Sequence, residues 1–582
     1  MTKDDVAAVL EEIGTLLELK GENPFKCRAY FNAARTLSSS TADLSALVAE
    51  DRLGEIPGLG EALCAKITTL VQTGRLPYHE ELKASFPPGL LDLLKIPGLG
   101  PKKVRAVHEK LGVNDTDALE QACRDGRVAG LAGFGKKTAA NILAGIDQIR
   151  SYAHQHRYGD VAGLADDLIG RLRDHPDVIR ISIAGSLRRG KEVIKDVDII
   201  ASAKRSDRIM EAFTSLPNIL RVLNHGETKS SVLLEGGVQC DLRVVEDFQY
   251  PYALHHFTGS KEHNVALRQR AISRGLKMSE WGLFKLNKDG TDGDLVPCRD
   301  EKELFAQLGL EEIPPELREN LGEIEAAEEG RLPRLIEWTD LRGCFHNHTR
   351  ESDGRATLEE MAAAAEELGF DYLGLADHSK SSVQAHGLSE ERLLAQVDAI
   401  HAHNQTKPAC HLFTGVECDI LKDGSLDFPD AVLARLDYVV ASVHAAFTMD
   451  GEEMTRRVIR AMENPHVTML GHATGRLLLQ REPYDINLGK IIDAAAATGT
   501  WIELNANPWR LDMDWRWWKT ARDKGVLCAI NPDAHDTPQL GYVKIGVGIA
   551  RKGWLRKEDV VNTLPLKAVR EKMAAKRKRF GL

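Results

Sequence analysis

The sequence predicts a multidomain chain of α and α/β parts: a helical N-terminal region, a mixed α/β middle, and a C-terminal barrel of alternating strands and helices. Three observations lead there. The chain has 582 residues, several times what one hydrophobic core holds. Residues 1 to about 150 carry helical apolar spacing broken by Gly-x-Gly turns. From Leu341 onward, short β-branched runs alternate with helical stretches, the pattern of parallel strands covered by helices.

The N-terminal stretch MTKDDVAAVLEEIGTLLELK reads as an amphipathic helix with acids near its start, not as a signal peptide, and no apolar run of about 18 residues follows anywhere. A membrane span is therefore not expected. The nine cysteines form no CxxC pair. That fits a reduced, cytoplasmic protein and excludes a cysteine-based zinc knuckle. The net charge of −10 alone argues against a nucleic-acid partner, but a clustered basic face can coexist with an acidic whole.

Within the helical region three segments echo one another: IPGLGEALCAKI from Ile56, IPGLGPKKVRAV from Ile96 and LAGFGKKTAANI from Leu131. Each places Gly-x-Gly before a helix that carries lysine in its first turns. A tight turn of this kind aims backbone N–H groups at an anion beyond the helix N-terminus. One copy is an ordinary helical hairpin. Three copies, two with the Lys102-Lys103 and Lys136-Lys137 pairs, point to phosphate. They resemble helix-hairpin-helix motifs, which grip a DNA backbone without reading its sequence.

From about Arg180 the signal turns to strands: VIRISIAG, VDIIAS and VQCDLRVV. Asp196 and Asp198 lie two apart, so both point to one face of a strand. Two carboxylates that close repel by roughly 2–3 kcal/mol at an effective dielectric of about 20. Mg²⁺ or Mn²⁺ beside a substrate phosphate offsets this. Asp241, in VQCDLRVV, is a third acid, and three acids suit two divalent ions and an in-line displacement at phosphorus. Upstream, Gly185 and Ser186 let backbone and hydroxyl approach a phosphate, and Arg189 can bind phosphate oxygens through two donors.

Gly-Ser, a basic pair and Asp-x-Asp make up the nucleotidyltransferase pattern, and GSLRRGKEVIKDVD resembles the palm motif of family X DNA polymerases. HHFTGSKEHNVALRQRA, from His255 to Ala271, resembles that family's nucleotide and primer-template segment. The resemblance implies that Asp196 and Asp198 bind both metals and Asp241 one, near the primer 3′-OH. It implies that Gly185, Ser186 and Arg189 hold the triphosphate, that Phe257 and Gly259 line the sugar, and that Asn264 and Arg268 touch the minor-groove edge and template. Where the eukaryotic members have Tyr before that Phe, this chain has His256, which bears on discrimination against ribonucleotides. NPFKCRAYFNAART resembles the opening helix of the family's small N-terminal domain, which in some relatives removes a 5′-deoxyribose phosphate through a lysine Schiff base. Lys66 falls on that lysine and Lys26 on a phosphate-binding one, while Ala62 replaces a further lysine of the relatives.

The C-terminal region concentrates metal-ligand side chains at the ends of its strands: His346 and His348, Asp353, His378, Glu417, His444, His472, Asp533 and His535. Packing does not explain so many at one end, which in barrels of parallel strands is the functional one. Imidazole mixed with carboxylate suits Mn²⁺, Zn²⁺ or Fe²⁺. The region resembles the polymerase-and-histidinol-phosphatase (PHP) domain, a distorted (β/α)7 barrel. By that resemblance His346, His348, Glu417 and Asp533 hold one metal, Asp353, His378 and His535 another, and Glu417 bridges to a third held with His444 and His472. Such a cluster lowers the pKa of a bound water and clamps a phosphate ester.

The chain is thus similar, along nearly its whole length, to bacterial family X DNA polymerases with a PHP domain. The resemblance implies a helical lyase-like DNA-binding domain (1–90), fingers with helix-hairpin-helix motifs (91–155), a palm (156–250), a thumb (251–316), a linker (317–339) and a PHP nuclease barrel (340–582). The implied activity is short-gap filling in DNA repair, coupled to 3′→5′ exonuclease action, with 3′-phosphatase action a further reading of the same barrel. The implied partners are gapped or nicked DNA and dNTPs, bound by a monomer. Two Mg²⁺ or Mn²⁺ ions are expected in the palm and up to three Mn²⁺ or Zn²⁺ ions in the barrel. Two other readings stay open: a nucleotidyltransferase with a non-DNA acceptor, against which the Gly-x-Gly repeats speak, and a non-catalytic DNA-end-bridging factor, against which the intact acids and ligands speak. WRWWK, from Trp515, is expected to pack a barrel helix, and the basic tail KAVREKMAAKRKRF to be a solvated helix end.

Overall fold

The computed structural model describes the chain except for residue 2, residues 40–43 and residue 57, and except for the side chains of Asp4, Ser38 and Ser39. Two compact units form, Met1–Ala153 and His154–Leu582. Among the described residues no helix is long and apolar enough to cross a membrane.

The first unit is helical throughout. Its repeats behave alike. Gly58, Gly98 and Gly133 take left-handed φ values of 86°, 78° and 84°, which glycine adopts freely. Gly60, Gly100 and Gly135 then cap the helices Glu61–Thr73, Pro101–Leu111 and Lys136–Tyr152. A Cβ at any of these six glycines would meet nothing within 4 Å, so the helix N-termini face open space. Pro57 of the first repeat lies outside the described residues.

The second unit opens with a five-stranded sheet built from β1 (Val178–Ile183), β2 (Asp196–Ala203), β3 (Ile219–His225), β4 (Lys229–Leu234) and β5 (Gln239–Val245). Its order is β1-β2-β5-β4-β3, and only the central β2/β5 pair is parallel. Alternate residues of β2 and β5 (Val197, Ile199, Ala201, Cys240, Leu242, Val244) bury one face against the helices Tyr158–Arg173 and Ser206–Thr214.

The C-terminal barrel is made of parallel strands β6 (Gly343–Asn347), β7 (Tyr372–Leu375), β8 (His411–Thr414), β9 (Glu417–Asp419), β10 (Val440–Ser442), β11 (Met469–Leu470), β12 (Trp501–Asn505) and β13 (Cys528–Asn531). The run LFTGVECDI, one strand by pattern, is split at Gly415, where a Cβ would stand 2.3 Å from the Tyr438 ring. The split turns Glu417 out of register with β8 and into the barrel mouth. Strand residues here are buried on both faces, as in parallel sheets covered by helices.

The segment 317–339, expected as a connector, is packed instead. Leu317, Ile324, Ala326, Ala327 and Leu335 share one core with thumb residues and with Trp554 of the barrel region. Glu323 is fully buried and meets His263 Nδ1 at 2.6 Å. The apolar residues hidden in an acidic stretch account for the difference.

Candidate active sites

The first candidate site sits where β2 and β5 begin. Parallel register sets Asp198 opposite Asp241, and Asp196 opposite Gln239, so three carboxylates gather at one end of the sheet. Burial, with Asp196 and Asp241 as like-charged neighbours, pushes the Asp198 carboxyl up to about 6. Burial and Asp241 raise Asp196 as well. Asp241 goes the other way. Its burial is outweighed by hydrogen bonds from Lys229, Gln239 and Ser231, which bring it below its ordinary value. Lys229 Nζ stands 2.5 Å from its Oδ2. Crowded carboxylate oxygens are the ligand type of a hard divalent cation, and Lys229 sets one positive charge beside them.

Gly185 is fixed by the same aspartate. Its φ is 63°, and a Cβ there would lie 2.4 Å from Asp198 Oδ2. Only glycine lets this turn pass beside the carboxylate. Ser186 follows in the short helix Gly185–Arg188.

Two site residues differ from expectation. Arg189, expected on a triphosphate, is buried; its Nη1 donates to the Thr258 carbonyl (2.7 Å) and its Nε to Glu319 (3.0 Å). Burial beside an acid of the connector segment captures this guanidinium. Asn264, expected at a minor-groove edge, is buried too, and its Nδ2 donates to the His256 carbonyl at 2.7 Å. It closes the end of the helix Tyr250–Thr258, and Gly259 has no room for a Cβ because Asn264 Oδ1 would lie 2.6 Å away. Phe257 lies under Arg243, 4.5 Å from Cζ to ring centre, and Arg268 Nη2 stands 3.3 Å from His256 Nδ1. In the N-terminal unit Lys66 is half-buried. Its Nζ donates to the Ala62 carbonyl (3.3 Å) and lies 5.1 Å from the Tyr78 ring centre.

The second candidate site is the mouth of the barrel. Ligand atoms of His348, Asp353, His378 and His535 lie within 4.8 Å of one another, as do those of His346, His348 and Asp533, of His346, Glu417 and His472, and of His378, Glu417 and His444. All the expected ligands are therefore together, in overlapping groups that contain the expected Asp353, His378 and His535 set and the His346, His348 and Asp533 part of the first. His472 joins His346, His444 joins His378, and His348 stands in two groups. The common centre is Glu417, fully buried, with His378 Nδ1 at 2.8 Å and the Nε2 atoms of His472, His346 and His444 at 2.9, 3.2 and 3.2 Å. Burial opposes its charge, yet His444, His346 and His378 hold its pKa well below the ordinary carboxylate range.

The residues fit a metal cluster on their own geometry. His346 Nε2, both ring nitrogens of His348, His378 Nδ1 and His472 Nδ1 are buried and have no hydrogen-bond partner. Other ring nitrogens are held by carboxylates, His472 Nε2 by Glu417 at 2.9 Å and His346 Nδ1 by Glu503 at 2.6 Å, so the unpartnered nitrogens are left facing the shared centres. His346 and Asp533 hold this aim at φ 56° and 52°, a strain that residues other than glycine keep mostly at functional positions.

Comparison with known proteins follows the same division. The helix-hairpin-helix domain model matches residues 1–76, the SAM-like helix-hairpin-helix tandem 90–147, the DNA polymerase beta thumb 253–319 and the PHP domain 345–507. The DNA polymerase/3′-5′ exonuclease PolX of Bacillus subtilis is 38% identical over 571 residues, 98% of this chain and 99% of that protein. The chain belongs to the family X DNA polymerases that carry a PHP domain. Probable phosphatases of Thermoanaerobacter pseudethanolicus and Clostridium acetobutylicum are each 27% identical over 248 and 250 residues, 40% and 41% of this chain and 96% and 97% of theirs.

In this family X chain several functional side chains escaped sequence reasoning. Glu503 is fully buried, 2.6 Å from His346 Nδ1, and accepts from the His472 amide (2.7 Å) and Asn531 Nδ2 (2.9 Å). Asp419 meets His444 Nδ1 at 2.8 Å. Carboxylates in this position orient ligating imidazoles and raise their basicity. The two-residue spacing Glu417-x-Asp419, read as Asp196-x-Asp198 was, would have found Asp419. Arg510 Nε stands 3.4 Å from Asp533 Oδ2, and its buried Nη1 has no partner; only the fold reveals it. Trp515 and Trp518 are buried, so WRWWK is mainly barrel packing.

Proposed function

We propose that the two sites divide the family's opposed activities between them: template-directed DNA synthesis in the palm and 3′→5′ removal of nucleotides in the barrel. The chain is a family X DNA polymerase with a PHP domain capable of metal-dependent exonuclease or phosphatase action. The observation that supports the residue-level reading is that the three palm carboxylates and the barrel's imidazole–carboxylate groups lie in one unit, each set gathered at strand ends.

In the palm, Asp196, Asp198 and Asp241 would hold two Mg²⁺ or Mn²⁺ ions, with Asp241 nearest the primer 3′-OH. Bound there, such ions stabilise charge on the attacking and leaving oxygens. Lys229 keeps Asp241 ionised. The Gly185 turn and the Ser186 hydroxyl border the phosphates, Arg189 joins them when it leaves Glu319, Phe257 and Gly259 border the sugar, and Arg268 the template. In the barrel, the ligands would hold up to three Mn²⁺ or Zn²⁺ ions, and the unpartnered Arg510 Nη1 would bind a phosphate oxygen of the scissile ester. The open Gly-x-Gly turns of the first unit would take the backbone phosphates of gapped or nicked DNA. Lys66, half-buried on its helix, would serve the lyase step. Boundaries at 90, 155, 250 and 339 would separate the domains.

The test is a labelled primer across a one-nucleotide gap with Mn²⁺, with and without dNTPs. Asp198→Ala should lose lengthening and keep shortening, and His346→Ala the reverse. Synthesis surviving in the first variant would sink the palm assignment.

A further inference from the structure

Neither arginine of the palm motif is free. Arg188 donates to the Thr258 hydroxyl (2.8 Å) and to Glu301 (2.6 Å). Arg189 donates to the Thr258 carbonyl (2.7 Å) and, through Nε, to Glu319 Oε1 (3.0 Å). That same oxygen accepts from Lys552 Nζ at 2.6 Å. Lys552 is the last residue of the barrel helix Val543–Lys552 and is fully buried. Its remaining hydrogen bonds go to the backbone carbonyls of Arg189 (3.1 Å) and Glu316 (3.3 Å). A barrel lysine thus spends its hydrogen bonds on the palm loop and on the segment that leads from thumb to barrel.

The loop it holds runs directly into the catalytic acids. From Arg189 the chain passes Glu192, whose carbonyl accepts from the Tyr158 amide (3.0 Å) and whose side chain lies 3.9 Å from Arg476 of the barrel. It then passes Val193, packed against the barrel core, and reaches Asp196.

We propose that Glu319 competes with the triphosphate of the incoming nucleotide for Arg189, and that Lys552, by sharing the Glu319 carboxylate, weakens that competitor. This makes Lys552 a positioning residue of the polymerase site, supplied by the nuclease barrel. The proposal rests on the reading of Arg189 as a triphosphate ligand.

The signs follow from charge. One carboxylate oxygen between two cations binds each less firmly than it would bind one alone. Without Lys552, Glu319 turns its full charge on Arg189, and the nucleotide meets a stronger rival. With Glu319 made neutral, the charge-assisted bond to Arg189 weakens, and the nucleotide meets a weaker one. Both changes act on nucleotide binding before chemistry, so they should appear in KM for dNTP and not in kcat.

The experiment is steady-state filling of a one-nucleotide gap by the full chain with dNTP varied. Lys552→Met should raise KM for dNTP about ten-fold with kcat within about two-fold. Glu319→Gln should lower KM several-fold, and the double variant should match Glu319→Gln, since no charge remains to be shared. Trimming of a labelled 3′ end, measured on the same preparations, should be unchanged and reports that the barrel is folded. A merely structural role would raise KM in both single variants, and that result overturns the proposal. So does an unchanged KM in Glu319→Gln, which as an isostere keeps the packing even where Lys552→Met fails to fold. Arg189→Ala separates the two levels. If it leaves KM for dNTP unchanged, the triphosphate reading of Arg189 falls, whatever the other variants do.

Discussion

Asp198→Asn should exchange activity for stability. In the metal-free protein Asp198 is buried beside Asp196 and Asp241, and its carboxyl is pushed from 3.8 up to about 6. The folded chain therefore binds this proton more tightly than the unfolded chain does, and stability is lost as pH rises from about 4 to about 6, then stays level. The loss above pH 6 amounts to about 3 kcal/mol, from a shift from 3.8 to about 6 at 1.36 kcal/mol per unit. Asparagine keeps the shape and removes the charge. Urea unfolding of the chelator-treated protein at pH 7.5 should show Asp198→Asn more stable by up to that amount, with about half the gain at pH 5. Mn²⁺ should stabilise the wild type more than the variant, because the ion relieves in one what the substitution has already relieved in the other. Synthesis by the variant should be absent. A variant less stable than wild type at pH 7.5 would refute the reasoning, for it would mean that the Asp198 carboxylate is satisfied by the protein itself.

Gly185→Ala places a methyl group 2.4 Å from Asp198 Oδ2 on a left-handed backbone. Gap filling should fall at least about 100-fold while 3′ trimming persists. Glu503→Gln removes the carboxylate that orients His346. Isothermal titration should show barrel Mn²⁺ affinity reduced about 10–100-fold, with synthesis unaffected. Arg510→Ala should lower trimming by about 100-fold at unchanged metal content, and Arg510→Lys should recover part of it.

What the sequence made legible was local. Each Gly-x-Gly repeat announces its own turn, because a left-handed glycine and a helix N-cap need only a few consecutive residues. Asp196-x-Asp198 and His346-x-His348 announce a shared face, because the strand period is two. The ligands of the barrel were legible because strand ends carry them one strand after another. What stayed hidden depends on residues far apart in the chain. The Glu503 carboxylate reaches His346 across 157 positions, and Glu319 reaches Arg189 across 130. No local pattern marks either pair. Arg189 is the clearest case. Its place in the motif suggested an open phosphate ligand, and only the fold of the connector segment brings an acid to occupy it. The break in LFTGVECDI was hidden because Gly415 yields to the ring of Tyr438, which comes from the loop before β10.

The central claim is that two metal centres, at named residues, serve two opposed reactions on one chain. Anomalous diffraction from crystals of the full chain grown with Mn²⁺ and a gapped DNA–dNTP complex tests it most directly. Peaks are expected at the carboxylates of Asp196, Asp198 and Asp241, and separately among His346, His348, Asp353, His378, Glu417, His444, His472, Asp533 and His535. A barrel with its peaks and a palm with none, or the reverse, would contradict the two-centre reading.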